Sequence, residues 1–204
     1  MGVTRNGKIS ALTNIRDPQR INEDAISRGA LVTGYLQTTS ENDGAFTQQL
    51  QAEAEHYNGY NLLMGCMHTR RYSVFNNHTL QHQQLQTGYY GLSNASLDTP
   101  WPKLEHGKSA LAAYCDSHAE LNTDALFALL ANQTKAADEN LPQTGVPLNW
   151  ERQLSSIFIQ GEQYGTRTST LLWLDQQGQV NWAERNFDAH AQITDEHFYQ
   201  FQLS

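Results

Sequence analysis

Asn6-Gly7 stands between Val3-Thr4-Arg5 and Lys8-Ile9-Ser10-Ala11-Leu12. An Asn-Gly pair between two β-prone runs is the strongest short-range hairpin signal, because both central positions of a type I′ turn need φ > 0. The chain is therefore expected to open with a hairpin. A strand that starts at the second residue has little room to anchor itself, and the pattern reads as a fragment.

Further elements follow from hydrophobic spacing. Helices are expected over 24–37, with Asp24 as N-cap, and over 43–56, where Phe46 and Leu50 are four apart on one face. Strands are expected over 60–67, 71–75 and 88–92, then helices over 101–119 and 123–131. Pro142, Gly145 and Pro147 mark 138–150 as a loop. Strands at 155–160, 169–175 and 180–187 and a terminal helix at 195–201 complete the reading, with a turn at Gln176-Gln177-Gly178. Strands, helices and strands in that order favour an α+β class, a mixed sheet with helices packed on it, over a parallel βαβ series. With 204 residues and no internal repeat or linker, 1–204 reads as a single domain.

Composition removes several function classes. Hydrophobic residues make up 39% and charged residues 17%, which is not the low-hydrophobicity, high-charge balance of a disordered chain. The 13 Lys and Arg against 21 Asp and Glu give a net charge of −8 without a basic cluster, which disfavours nucleic acid and anionic membrane surfaces. No apolar run approaches the ~20 residues of a membrane helix. The first residues lack the apolar core of a signal peptide, and Asn6 stands where a myristoylation signal wants Ser or Thr. Cys66 and Cys115, with no CxxC spacing, suit a reducing cytoplasm and give neither a disulfide scaffold nor a zinc signature.

Candidate chemistry concentrates at strand ends. Cys66 and His68 are two apart and fall on one face of an extended strand, a geometry for a metal or a nucleophile pair; a small buried Cys with a His in the turn accounts for them as well. His78 and His82 read as solvated loop residues. Asn77, Asn94 and Asn132 head matches to the glycosylation pattern, which without a secretory signal are chance. Asn94, where a strand runs into a polar elbow, can offer amide donors to an oxyanion or ligand carbonyl, or can form an Asx turn before a helix capped by Asp98 or Thr99. Arg167 follows a glycine turn among hydroxyl residues, where it can pair with a carboxylate or phosphate or stand solvated. The run 13–18 is expected to close the first hairpin strand, where Asn14 is again an Asn at a strand end.

Several runs occur together in order: 2–14, Ser27-Arg28-Gly29, Tyr60-Asn61-Leu62-Leu63, 90–103, Ser155-Ser156-Ile157-Phe158 and 164–170. In these the chain resembles the NRDE family, which includes the transport and Golgi organization protein 2 group. The resemblance implies an N-terminal-nucleophile hydrolase-like αββα sandwich, here incomplete at the N-terminus. It implies supporting roles for Asn14 and Asn94 as oxyanion and substrate-orienting amides and for Arg167 in tuning a nucleophile. The family's Met-Cys start and Asn-Arg-Asp-Glu signature do not occur in this sequence. The expectation is therefore an N-terminally truncated form whose own residues lack the nucleophile. By resemblance the function is the handling of a small amphipathic ligand in haem trafficking or acyl-CoA and lipid metabolism, in the cytoplasm. Haem is the cofactor the resemblance offers, although the sequence has no CxxCH motif. The alternatives are a Cys-dependent amidohydrolase and a non-enzymatic interaction protein.

Overall fold

The computed structural model describes residues 1–39, 43–161 and 163–204. Two compact units divide the chain, one formed by Met1–Thr99 with Leu203–Ser204 and one by Pro100–Gln202. Five α-helices and two sheets, every pairing antiparallel, give the expected α+β composition among the described residues; no mixed sheet forms.

In the first unit the sheet runs β1 (Gly2–Val3), β2 (Lys8–Asn14), β3 (Tyr60–Cys66), β4 (Arg71–Asn76) and β5 (Gln81–Leu85), in that order. The opening hairpin is present, but its turn is not type I′. Gly2 pairs with Ser10 and Val3 with Ile9, and Gly7 N–H bonds to the Thr4 carbonyl at 3.0 Å. Gly7 alone takes a positive φ, 81°, so the loop is a turn followed by a left-handed glycine bulge. The β3–β4 and β4–β5 hairpins each close with a left-handed residue just before the returning strand, Arg70 at φ 52° and Leu80 at φ 55°.

Two helices, α1 (Gly29–Gln37) and α2 (Gly44–Ala52), supply the rest of this core. Leu31 and Tyr35, four apart, and Leu50 pack on Tyr60, Leu62 and Met64 of β3 and Phe75 of β4, with Phe46 edge-on to Tyr35. Burying each such side chain contributes roughly 1.5–3 kcal/mol. The first helix starts later than expected. Asn22, not Asp24, organises the preceding segment, since its Oδ1 accepts from the Asp24 N–H at 3.0 Å.

The polar run at 81–85, read as loop, is the edge strand β5. Asn76 Oδ1 accepts from the N–H groups of His78 (2.9 Å) and Thr79 (3.0 Å) and so reverses the chain, and Gln side chains suit a solvated edge. Conversely, 88–92 is irregular. Gly91 gives its N–H to the Asp98 carboxylate and its carbonyl to the Asp98 N–H, leaving no ladder to join.

The second unit holds α3 (Pro102–Ser117), α4 (Thr123–Leu130), α5 (Leu148–Gln153) and a sheet of β6 (Thr168–Leu174), β7 (Gln179–Phe187) and β8 (Ile193–Gln202). Two sequence expectations fail here. Residues 155–160 form turns because the hydroxyls bond locally, Ser155 Oγ to the Arg152 carbonyl and Ser156 Oγ to the Phe158 carbonyl, both at 2.7 Å. The expected terminal helix is β8. Its Phe198 faces Ala183 and its Tyr199 faces Trp182, so cross-strand aromatic packing overrides helical spacing. Phe127 of α4 lies under the Arg185 guanidinium, 4.3 Å from the ring centre, and Arg185 also pairs with Asp124 and Glu196.

Candidate functional site: a strand end capped by an asparagine loop

β2 ends at Asn14, directly opposite Tyr60. The ladder continues one step further, because the Ile15 N–H bonds to the Gly59 carbonyl at 2.9 Å. At the next step the partner changes. The Arg16 N–H bonds to the Asn94 carbonyl at 2.7 Å, and Asn94 Nδ2 donates to the Asn14 carbonyl at 3.0 Å. Asn94 thus grips the strand end from both its backbone and its side chain. A primary amide has two N–H donors, so one remains for another acceptor. The Asn14 side chain is exposed and carries no hydrogen bond among the described residues.

The two sequence readings of Asn94 are both modified. Asp98, left-handed at φ 55°, makes the local turn by accepting from Gly91, and Asn94 instead bridges to a distant strand. Neither Asp98 nor Thr99 caps a helix, since α3 starts after Trp101 without a side-chain cap.

Behind this junction lies a set of buried amides. Asn61 Nδ2 donates to the Ala95 carbonyl at 2.7 Å and to Thr13 Oγ1 at 3.1 Å. Asn76 Nδ2 donates to Asn61 Oδ1 at 2.8 Å. Asn77 Oδ1 accepts from the Tyr60 N–H at 2.7 Å, and its Nδ2 reaches the Ala54 carbonyl at 3.2 Å. The 93–96 loop is therefore held by the sheet itself. Residue-by-residue reading missed Asn61 and Asn76 as functional supports; the available signal was an amide inside otherwise apolar strands. Asn77 and Asn94, both glycosylation matches, use their amide nitrogens in these bonds, and Asn132 uses its own toward His106 at 3.1 Å.

A cavity of about 500 Å³ opens beside Gly59, lined by Arg20, Tyr57, His78 and Leu80 among others. His78 is not a solvated loop residue. Its ring packs on Gly59, where a Cβ would stand 2.5 Å from Nε2, and its Nδ1 lies 3.8 Å from the Asp17 carboxylate. Burial lowers its pKa from the ordinary 6.5, Arg20 adds to the shift and Asp17 opposes it. With Nε2 against Gly59 and Nδ1 toward Asp17, His78 does not present an axial nitrogen to the cavity, so the residues here do not fit a resident haem held through histidine.

Arg167 belongs to the second unit, at the start of β6. Its Nη1 donates to the Asp188 carbonyl at 2.7 Å, and its own carbonyl accepts from Phe187 at 2.8 Å. Backbone N–H bonds from Gln192 and His190, together with the charges of His190 and Arg167, hold the Asp188 carboxyl below its usual range. Asn14 and Asn94 are joined by a hydrogen bond; Arg167 forms its own local set. Cys66 and His68 do not pair. Cys66 ends β3, while His68 sits exposed in the turn with Nε2 3.2 Å from the Ser204 carbonyl. Among the described residues no group of three His, Cys, Asp or Glu side chains could hold a metal, and no helix is long and apolar enough to cross a membrane.

A family model described as Transport and Golgi organisation 2 matches residues 1–189. The Transport and Golgi organization protein 2 homolog of Bos taurus is 33% identical over 198 residues, which cover 91% of this chain and 71% of the relative. The Homo sapiens homolog is 30% identical over an alignment covering all of this chain and 77% of the relative. Transport and Golgi organization protein 2 of Drosophila melanogaster is 25% identical, covering 93% and 72%.

Proposed function

We propose a function from one premise: the chain belongs to the Transport and Golgi organisation 2 family. The family's description brings to this chain a role in transport and Golgi organisation, and the resemblance implies a cytoplasmic protein that handles a small amphipathic ligand. The observation that carries the reading is Asn94, whose side chain and backbone are both fixed to the end of β2 while one amide N–H stays available beside the unpaired Asn14 amide. Preorganised amides of this kind recognise a carbonyl or carboxylate at the polar end of a ligand. The cavity beside Gly59, with Tyr57, Ala52 and Leu80 in its wall, offers apolar surface for the remainder. In this reading haem or an acyl-CoA is cargo, not a resident cofactor. The N-terminal-nucleophile hydrolase-like αββα sandwich is part of the same proposal, and two antiparallel sheets, the first with α1 and α2 on one face, support it.

The test is direct titration of the protein with haem, followed by its Soret band, and with a long-chain acyl-CoA, followed by tryptophan fluorescence. Saturable binding of either, weakened by Asn94→Ala, is expected. Failure of both ligands to bind overturns the reading and leaves a non-enzymatic interaction protein. A second reading rests on the same free N–H, placed as an oxyanion donor for amide hydrolysis. It requires a Cys bearing a free α-amine, which neither internal Cys66 nor Cys115 has, so amide turnover dependent on Asn94 would have to draw its nucleophile from other residues.

A further inference from the structure

A second cavity, of about 480 Å³, lies at the other end of β3 from Tyr60 and the Asn14–Asn94 junction. Cys66, Arg70, Arg71, His82 and Asp43 contribute to its wall. The sheet register accounts for this assembly. Cys66 faces Lys8 on β2 and Arg71 on β4, so a cation stands directly across from it on each side, on the sheet face that α1 and α2 cover. The left-handed turn at Arg70 brings a second guanidinium to the same opening. Neither Arg70 nor Arg71 has an ion pair or side-chain hydrogen bond among the described residues, in a chain whose net charge is −8. The carboxylate in the wall, Asp43, is engaged by the Tyr35 hydroxyl at 2.8 Å.

Several buried polar atoms on this face lack a hydrogen-bond partner among the described residues, Tyr60 Oη, Ser73 Oγ and His82 Nε2 among them. His82 contributes to the wall of the cavity, while its Nε2 is shut off from solvent and has no hydrogen-bond partner among the described residues. Ser73 Oγ, on a residue that is 0% exposed and two positions along β4 from Arg71, is unpartnered as well. Guanidinium forks match the oxygens of phosphate bidentately.

We propose that this cavity binds a small molecule through a phosphate group, gripped by Arg70 and Arg71. The site is independent of the Asn14–Asn94 junction, and it places Cys66 in its wall as a built-in reporter.

The experiment uses the full chain carrying Cys115→Ser, which leaves Cys66 as the single thiol. The rate of Cys66 alkylation by iodoacetamide is measured with and without inorganic pyrophosphate, at ionic strength held constant with chloride, and pyrophosphate affinity is measured by calorimetry. Pyrophosphate is expected to slow alkylation saturably, and Arg71→Gln and Arg70→Gln each to weaken the affinity about tenfold or more, as loss of a charge-assisted bond requires. Both arginines are exposed, so both variants should keep the parent melting temperature. No protection by pyrophosphate, protection unchanged in both variants, or equal protection by sulfate would each overturn the assignment.

Discussion

Asn76 donates from Nδ2 to Oδ1 of Asn61 at 2.8 Å, between directly paired residues of neighbouring strands and in the buried interior of the first unit. The bond matters beyond the sheet, because Asn61 passes its own two donors to Thr13 and to the Ala95 carbonyl in the loop that carries Asn94.

Replacing Asn61 by Leu is therefore expected to destabilise the protein by about 1–3 kcal/mol per polar group left unsatisfied. A urea midpoint equal to that of the parent protein would contradict the network. The same variant should also weaken ligand binding, since the Ala95 anchor is lost.

Asn94→Ala should separate stability from function. It removes one half-exposed hydrogen bond, about 0.5–1.5 kcal/mol in the urea transition, but ligand affinity should drop by about tenfold because an oriented donor disappears. Asn14→Ala should leave the urea midpoint unchanged, as that side chain has no partner to lose among the described residues. Equal losses of affinity and stability in Asn94→Ala would reduce the residue to a structural clamp.

His78 sets a pH dependence. Its folded pKa lies below the ordinary 6.5, so below that pH the unfolded chain binds the proton more readily than the folded one. Stability contributed by the neutral ring is complete above 6.5 and declines as pH falls toward and through the folded value. The melting temperature should thus fall between about pH 7 and pH 5 more steeply in the parent than in His78→Gln. Parallel curves would show that the ring titrates as it does in the unfolded chain.

Gly65 and Gly34 give a paired test of packing. A Cβ on Gly65 would stand 2.3 Å from the Tyr72 ring and 2.7 Å from the Arg71 carbonyl, whereas one on Gly34 would meet nothing nearer than the Phe46 ring at 3.7 Å. Gly65→Ala should cost about 1–3 kcal/mol by overpacking. Gly34→Ala, inside α1, should stabilise by about 0.5–1 kcal/mol through backbone entropy. Chemical denaturation of both variants checks the contrast.

The sequence was most legible where one physical signal acted alone. β2, β3, β6 and β7 combine β-branched or aromatic runs with flanking turns, and each is found within a residue or two of its expected place. Reading failed where side chains compete with the backbone. Asn76 folds a polar stretch into β5, Ser155 and Ser156 turn an apolar stretch away from a strand, and Asp98 occupies both polar groups of Gly91. β8 failed for another reason, since its spacing suits a helix until Trp182 and Ala183 provide partners for Tyr199 and Phe198. At the site, Asn94 was identifiable from its elbow, but its bond to Asn14, eighty positions earlier, depends on a fold that local patterns do not encode.

The order of strands in the first sheet also has a kinetic meaning. β3, β4 and β5 follow one another through tight hairpins, so their pairings close over short stretches of chain and form early. β2 docks on β3 only by closing the long loop that contains α1 and α2, a slower step with a larger entropic cost. The Asn94 grip on β2 requires that closure first. The Asn14–Asn94 junction is consequently expected to be a late product of folding, completed after the loop that carries the helices has closed.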